Sequence, residues 1–501
     1  MSKKKSIIAA MLSMVLAITS TGCDEGGSSV ESTGGNMLSD LATSATTTTV
    51  DPDENAATDR EAKEIASEEY VPDGNAGTVK YLNHYDLAND HKTDEQYLVF
   101  TSEQYGGTFD YVNCAFNDFN DKLAAMIAAD DSPDIVVYGW IACPGGIIKN
   151  MYEPLDDQID LDTALWSDMK TAVEDYAYKG KHYYYPTRIG NNFALNYNRK
   201  TIENAGLTDP YDLYMAGNWT WDTWREMMID FCNQSDENIG FGCASDVLTA
   251  FVATTGVNMV SVNTDGSFSN NLGSPDVARA MGFIESLNRD GLFHQNQLGD
   301  WVSPELWAVN SDRMLFIGME PEWCYEAATA QIQDPRGTEN DIYDTVSDFA
   351  FVPFPRDPQS EVYHLEYDTF GYMVPKGAKN MKGAIDWIYC NRVFETDENV
   401  IAQAKEDHVN PPVVTYVDGK FAGQRKWQIK WDDRAYDMLM EMRDPTKFVF
   451  NFDECYGFSD ELKNLISSGL LYEVAYNGAS WTQLSEELSP NVDAVLEQFT
   501  R

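Results

Sequence analysis

The sequence predicts an α/β protein whose folded part is divided into two lobes. Strand-like and helix-like patterns alternate along the first folded segment, which is typical of a sheet covered by helices. The folded part runs for roughly 420 residues after a polar N-terminal region, more than one hydrophobic core usually organises. Beyond the N-terminal apolar run, no stretch reaches the roughly 18 consecutive apolar residues that a transmembrane helix needs. We therefore expect the folded part to lie outside the membrane.

The alternation of elements is clearest between residues 79 and 138. Val79–His84 and Thr108–Cys114 have the composition of strands, and an amphipathic segment begins between them at Gln96–Phe100. From Phe119, apolar residues recur at i, i+4, i+7 and i+8, which predicts a core-facing helix. The continuous apolar run Ile135–Tyr138 then predicts a parallel strand that is buried on both faces.

The N-terminus has the features of an export signal. Three lysines at Lys3–Lys5 precede an uncharged, mostly apolar run from Ile7 to Ile18, which is too short to span a bilayer. Ser20–Cys23 resembles the lipobox of bacterial lipoproteins, and this resemblance implies cleavage after residue 22 and lipidation of Cys23. The alternative is an ordinary secretory signal followed by an unrelated cysteine.

Residues 23–77 are predicted to form a disordered tether. The segment is rich in Ser, Thr, Gly, Asp and Glu, and its first aromatic residue is Tyr70. Such a composition buries too little apolar area to offset the chain entropy of folding. A tether attached to a lipidated cysteine would let a folded body move over a membrane surface.

Charge and cysteine content restrict the partners. The chain has 35 basic and 81 acidic residues and a net charge of −46, so it should repel nucleic acid and anionic headgroups. Membrane contact is expected only through the lipid anchor. We expect most cysteines after Cys23 to be small buried hydrophobes, because no C-x-x-C occurs, although one or two disulfides remain open.

Motifs of catalysis and metal binding are missing from the sequence. It contains no G-x-S-x-G, P-loop, H-E-x-x-H or G-x-G-x-x-G, and its six histidines are dispersed. With 81 acidic residues, a carboxylate pair of any spacing can be found, so such a pair does not indicate a glycosidase. We therefore predict a protein without catalytic activity, cofactor or metal site, with a structural calcium ion left open.

Several short passages together suggest a family. They occur in one order over roughly 300 residues, at Asp121–Val136, Pro154–Asp157, Tyr178–Pro186, Leu195–Lys200, Ala205–Pro210, Trp219–Asp222, Met314–Trp323 and Gly371–Lys376. This ordered succession resembles the extracellular solute-binding proteins of the sugar-binding family 1, which are lipoproteins of ABC importers. After residue 390 the sequence resembles the family only in its helix-like patterns.

The resemblance implies a periplasmic-binding-protein-like fold, with two α/β lobes joined by a hinge around an interlobe ligand cleft. It divides the chain into an N-terminal lobe, residues 78–194 and 366–396, and a C-terminal lobe, residues 195–365 and 397–501. Crossings between the lobes are expected near residues 195–197, 365–370 and 394–399.

The implied function is capture of an extracellular carbohydrate and its delivery to ABC permease subunits by a monomeric protein. Family prevalence and aromatic content favour a carbohydrate, here an oligosaccharide, over other solutes. The alternatives are a surface polysaccharide-active enzyme, a binding protein for a non-sugar solute, and a sensor that uses the same fold. Ligand would bridge both lobes and stabilise a closed state that the permease recognises.

Candidate ligand-binding residues follow from the chemistry of sugars, which need aromatic planes for stacking and planar polar groups for paired hydrogen bonds. Residues at the carboxyl ends of parallel strands and in the cleft loops are favoured. The candidates are His84, Tyr85, Tyr138, Trp140, Asn191, Asn192, Trp219, Trp221, Trp301, Glu320, Trp323 and Asp368. Arg188 is a further candidate, as a clamp for a carboxylate or a hydroxyl pair, the alternative being a surface salt bridge.

Overall fold

The fold is taken from a computed structural model of the 501-residue chain. The structure describes residues 48–49, 67–84, 86–87, 95–115, 118–137, 142–190, 193–263, 265–293, 303–325, 348–410, 414–416, 425–426, 430–451 and 455–500. The predicted signal peptide, the lipidation site Cys23 and most of the predicted tether lie outside these residues.

The chain divides into two compact units. The first comprises residues 1–49 and 415–424, in which strand Thr48–Thr49 pairs antiparallel with Thr415 and Tyr416. The second comprises residues 50–414 and 425–501.

A five-stranded sheet forms the centre of the N-terminal lobe. Its strands are, in spatial order, Gly107–Asn113, Gly77–Asn83, Ile135–Val137, Thr369–Met373 and Tyr184–Ile189. The first three strands are parallel, and Thr369–Met373 runs antiparallel to both of its neighbours. All three residues of Ile135–Val137 are fully buried, as the continuous apolar run predicts.

Helices cover this sheet. They span Glu95–Thr101, Phe119–Ala128, Gly145–Ile148, Lys170–Asp175 and Met381–Thr396. In Phe119–Ala128 the predicted stripe faces the core, since Phe119, Leu123 and Met126 are buried. The predicted α/β class is confirmed.

The C-terminal lobe is built on a four-stranded sheet. Its spatial order is Phe349–Pro353, Ala194–Asn198, Met314–Met319 and Ile239–Cys243. Two small sheets accompany it: Tyr363–Glu366 pairs in parallel with Phe448–Asn451, and Val260–Val262 pairs antiparallel with Phe268–Asn270.

The helices of this lobe pack around a second hydrophobic core that is separate from the first. They span Arg199–Asn204, Pro210–Met215, Trp221–Cys232, Leu248–Ala253, Pro275–Arg289, Pro304–Val309, Glu398–Val409, Asp433–Met442, Cys455–Phe458, Asp460–Ile466, Tyr472–Ala475 and Trp481–Phe499. None of the helices in the described residues combines the length and apolarity that a bilayer crossing requires.

The chain passes between the two sheets at three places. It leaves the first sheet after Ile189 and enters the second at Ala194, and it returns between Glu366 and Thr369. The third passage is Asp397, between helices Met381–Thr396 and Glu398–Val409. The first two passages touch, because the Gly190 N–H donates to the Asp368 carbonyl at 2.8 Å.

The folded body begins earlier than residue 78. Tyr70 stacks on Tyr389 with ring centroids 3.8 Å apart, and its hydroxyl donates to the Asp386 carboxylate. The Glu69 carboxylate accepts the backbone N–H groups of Ala164 and Leu165 at 3.0 and 2.7 Å. Residues 67–77 are therefore a strap on the N-terminal lobe rather than the end of a free tether.

Six cysteines are placed in the described part of the chain: Cys114, Cys143, Cys232, Cys243, Cys324 and Cys390. All but Cys232 are buried, in agreement with their expected role as small apolar residues.

Candidate functional site

Charged side chains from both lobes meet where the three passages converge. We call this group the hinge cluster, and it consists of Arg188, Glu320, Glu322, Asp368, Glu395, His408 and Arg443. Arg188 and Glu395 lie near the ends of strand Tyr184–Ile189 and helix Met381–Thr396, and Arg443 directly follows helix Asp433–Met442.

Glu320 is an acid of the C-terminal lobe. It follows strand Met314–Met319, whose last residue pairs with Ala194 and accepts a 2.9 Å hydrogen bond from the Asn196 amide. Burial, followed by the charges of Asp368 and Glu322, raises the pKa of Glu320 to about 7. Glu320 therefore titrates near neutral pH.

Asp368 lies in the second passage, directly before strand Thr369–Met373. Burial raises the pKa of Asp368 to about 6, although the Thr369 N–H and the charge of Arg188 oppose this rise. The Thr369 N–H donates to its carboxylate at 2.7 Å. Glu320 and Asp368 thus come from different lobes and repel each other when both are ionised.

Arg188 is the basic group on the side of the N-terminal lobe. Its guanidinium lies over the Phe370 ring, 5.1 Å from the centroid, and its Nε is 3.4 Å from Glu395 Oε1. The side chain is 36% exposed, so its remaining donors can reach a solute. A planar guanidinium held on an aromatic face is suited to paired hydroxyl or carboxylate oxygens.

On the C-terminal-lobe side of the hinge cluster, Glu322 lies close to two basic side chains. Its carboxylate is 3.4 Å from His408 Nε2 and 3.7 Å from Arg443 Nη2. Burial alone would raise the pKa of Glu322, but the hydrogen bond with His408 and the charge of Arg443 bring it below the ordinary value. These two basic neighbours therefore favour the ionised form of Glu322.

The surroundings of His408 favour its charged form. Its Nδ1 lies 2.7 Å from the Ala404 carbonyl, so Nδ1 donates, and Nε2 must also carry a proton to donate to Glu322. Burial alone would lower the pKa of His408, but the bonds to Glu322 and Ala404 raise it above its ordinary value. Arg443 links this group to the first passage, since its Nε donates to the Gly190 carbonyl at 3.3 Å.

The arrangement can bind a polar, uncharged solute. Carboxylates and guanidinium groups accept from and donate to hydroxyls, and charge-assisted hydrogen bonds of this kind are the stronger ones. Trp323 lies three residues after Glu320, is partly exposed and packs against the core of the C-terminal lobe. Within the described residues, no group of acids, histidines and cysteines is placed to hold a metal ion.

The structure brings some predicted residues together and separates others. Glu320 and Asp368 belong to the hinge cluster together with Arg188, whereas Trp323 is partly exposed and packs against the core of the C-terminal lobe. His84 is exposed directly after strand Gly77–Asn83. Six predicted residues lie outside the residues that the structure describes: Tyr85, Tyr138, Trp140, Asn191, Asn192 and Trp301.

Trp219 and Trp221 are placed in the core of the C-terminal lobe. Their exposed fractions are 0% and 3%, and their indole N–H groups donate to the Pro353 carbonyl and the Thr254 hydroxyl. Thr220 between them caps helix Trp221–Cys232. Because both indoles are enclosed and hydrogen-bonded within the lobe, we leave them out of the proposed site.

Sequence patterns did not indicate four members of the hinge cluster: Glu322, Glu395, His408 and Arg443. Of these four, only Glu322 could have been suggested by the local sequence, because it lies two residues after the predicted site residue Glu320. The other three lie in helical sequence whose contribution to the site depends on tertiary packing.

Known proteins resemble the chain in sequence and in fold. The family described as bacterial extracellular solute-binding protein matches residues 98–429. No curated protein sequence matches the chain significantly.

Among solved structures, a Listeria monocytogenes ABC substrate-binding protein in complex with cycloalternan is 14% identical with a TM-score of 0.56, covering 84% of this chain and 99% of its own. The sugar-binding protein MalE of Xanthomonas citri is 14% identical with a TM-score of 0.58, covering 84% and 98%. UgpB of Mycobacterium tuberculosis, in complex with glycerophosphocholine, is also 14% identical with a TM-score of 0.56, covering 84% and 99%. At these identities the likeness concerns the fold.

Proposed function

We propose that this chain, which belongs to the bacterial extracellular solute-binding proteins, captures a carbohydrate between its two lobes for an ABC importer. Members of this family are binding proteins rather than enzymes, and membership implies an extracytoplasmic location. The proposal concerns the solute, its site and its delivery.

The observation that carries the proposal is the hinge cluster. Glu320 comes from the C-terminal lobe, whereas Asp368 and Arg188 border the N-terminal sheet. A solute that bonds to all three contacts both lobes at once, so it stabilises the arrangement in which the lobes are close. Binding and conformational change are coupled by these shared contacts.

A neutral oligosaccharide suits these groups best. Its hydroxyls can donate to Glu320 and Asp368 and accept from Arg188, while its C–H faces can pack on Trp323 and Phe370. A net charge of −46 disfavours anionic polymers. Cycloalternan and mannotriose are bound by two proteins of this fold, which supports the choice of solute.

The test is a thermal-shift screen of residues 67–501, which include the strap. Neutral di- and trisaccharides of glucose and mannose are compared with glycerophosphocholine, peptides and polyamines. At a free sugar concentration of 100 times Kd, binding should stabilise the protein by about 2.7 kcal/mol. Asp368→Asn should weaken the shift, whereas Glu226→Gln, an exposed change on helix Trp221–Cys232, should preserve it.

A shift from glycerophosphocholine, peptide or polyamine with none from any sugar would contradict the carbohydrate assignment. Release of products from a polysaccharide would instead favour the enzyme alternative. Clear binding without turnover removes that alternative.

We further propose that Cys23 carries a lipid anchor after removal of residues 1–22, that the protein acts as a monomer, and that permease subunits receive its ligand. Cys23→Ala should release the protein from the membrane fraction. Unchanged fractionation of this variant would refute the lipobox.

A further inference from the structure

We propose that the two lobes close onto each other through a contact outside the hinge cluster, and that Gly145 sets how far this closure can go. This closure contact consists of Gly145, Ile148 and Lys149 from the N-terminal lobe and Phe268, Phe458 and Phe499 from the C-terminal lobe. The inference deepens the proposed function by naming a residue on which closure depends. It rests on that function only in treating the contact as part of solute capture.

Gly145 lies directly against the backbone of the opposite lobe. A Cβ atom added to it would be 2.3 Å from the Phe458 carbonyl oxygen and 2.6 Å from the Gly457 carbonyl oxygen. Real Cβ atoms are essentially never found within 3.0 Å of such a neighbour. A side chain at position 145 would therefore force the two backbones apart.

Neither side of this contact can yield easily. Phe458 is 2% exposed, and its ring lies 4.9 Å from that of Phe268 and 5.4 Å from that of Phe499. On the other side, Gly145 is buried and Ile147 belongs to the core of the N-terminal lobe. Closely packed interiors lose stability when an extra group is forced into them. Parting of the lobes is thus the least costly response to a side chain at position 145.

The backbone of Gly145 does not itself require a glycine. Its φ lies outside the left-handed region, and it is the first residue of helix Gly145–Ile148, where alanine is the better helix former. The N-terminal lobe alone should therefore tolerate Gly145→Ala. The requirement for a glycine comes from the opposite lobe.

The closure contact continues next to Gly145. Ile148 and Phe268, one from each lobe, pack against both hydrophobic cores, and Lys149 Nζ lies 5.8 Å from the centroid of the Phe499 ring. Apolar burial and a cation on an aromatic face thus favour the closed arrangement. None of these residues lies in one of the three passages, so the contact depends on the orientation of the lobes and is not imposed by chain connectivity.

A turn from each lobe meets near this contact and offers a way to measure it. A Cβ atom added to Gly266, two residues before Phe268, would lie 3.1 Å from Lys179 Cγ. The sulfur of a cysteine at position 179 would take the place of this Cγ atom. In a disulfide, a Cβ atom and the far sulfur are also about 3 Å apart. Cysteines at positions 179 and 266 can therefore report, by forming a disulfide, how often the lobes meet.

The test uses the full chain with Lys179→Cys and Gly266→Cys, without ligand, and follows the disulfide-linked peptide by mass spectrometry under a mild oxidant. We expect this parent protein to form the link. Adding Gly145→Ala should slow its formation by about tenfold or more, because the clash shifts the population towards parted lobes. Gly273→Ala is the matched control: its added Cβ meets nothing within 4 Å, so it should link at the parent rate.

Equal linking rates in the parent and in Gly145→Ala overturn the proposal, as does a folded parent that forms no link. Circular dichroism and melting of the reduced proteins check the fold, including the turn at position 266, where a φ of +80° strains a cysteine. If Gly145→Ala fails to fold, Lys149→Ala serves as the second variant. It removes the cation from the Phe499 face and should slow linking about twofold to fivefold, and an unchanged rate there has the same negative meaning.

The two proposals fail in different ways. Linking is measured without ligand, so a negative sugar screen leaves the closure contact intact. A positive screen together with equal linking rates keeps the carbohydrate site and removes Gly145 as the limit of closure.

Discussion

Single residues of the hinge cluster differ in charge because their surroundings differ, although the whole chain is strongly acidic. Glu320 and Glu322 are two residues apart, yet burial raises the pKa of Glu320, whereas His408 and Arg443 lower the pKa of Glu322. The helical turn over residues 321–325 directs them to different partners. One local segment thus supplies both an acid with a raised pKa and an acid with a lowered pKa.

Glu320→Gln should stabilise the protein above neutral pH. The pKa of Glu320 is about 7 in the fold and 4.5 in the reference state, so the folded state binds more protons between these values. Wild-type stability therefore falls as the pH rises through this window, and the variant lacks this loss. We expect a gain of roughly 1–3 kcal/mol at pH 8 and almost none at pH 4, measured by urea denaturation.

An equal gain at both pH values would contradict the electrostatic origin of this effect. Glu226→Gln is the matched control, because it changes an exposed glutamate and should alter stability by less than about 0.5 kcal/mol at either pH.

The candidate site could be predicted only in part from the sequence. Glu320, Trp323 and Asp368 follow or precede recognisable strands, so their positions near strand ends could be inferred. The Trp219–Trp221 pattern does not reveal that both indoles find partners inside one lobe. His408 and Arg443 reach the site from helices whose sequences show no sign of it.

At the scale of elements, helix Met381–Thr396 connects the N-terminal core with the third passage. Residues 383–394 are all buried, including Arg392 with 2% exposure. Its guanidinium donates to the Leu165 and Thr187 carbonyls at 2.7 and 2.8 Å and pairs with Asp168. One buried arginine thus ties the helix to strand Tyr184–Ile189, just before the first passage.

Arg392→Met should destabilise the N-terminal lobe. Methionine fills much of the volume but leaves two buried carbonyl groups without donors, each at a cost of about 1–3 kcal/mol. We expect a loss of roughly 2–4 kcal/mol in the free energy of unfolding, measured with denaturant. Arg289→Met removes an ion pair whose arginine is 69% exposed and should cost less than about 0.5 kcal/mol.

Equal losses in these two variants would show that the enclosed carbonyl contacts of Arg392 contribute little. A loss confined to Arg392→Met supports the role of this residue in holding the helix against the sheet.

At the scale of the whole molecule, the alternation of patterns sufficed to predict the α/β class, and chain length sufficed to predict two cores. The strap was not predicted, because residues 67–77 share the polar composition of the segment before them. Composition is averaged over many residues, whereas the strap depends on single contacts of Glu69, Tyr70 and Asp73. Asp73, for example, pairs with Lys382 at 2.7 Å.

The strap leads to a prediction about where the folded protein begins. Tyr70→Ala removes the stack on Tyr389 and the hydrogen bond to the buried carboxylate of Asp386, which keeps its ion pair with Lys382 at 2.6 Å. Stacking contributes about 0.5–1.5 kcal/mol and a hydrogen bond to a charged group about 1.5–3, so we expect a loss of roughly 2–4 kcal/mol in stability. Tyr70→Phe should retain only the stacking contribution to stability, whereas Val71→Ala, at a side chain 80% exposed, should have almost no effect.

Thermal unfolding of residues 67–501 and 78–501 provides the complementary measurement, and equal melting temperatures for the two would show that the strap does not stabilise the lobe.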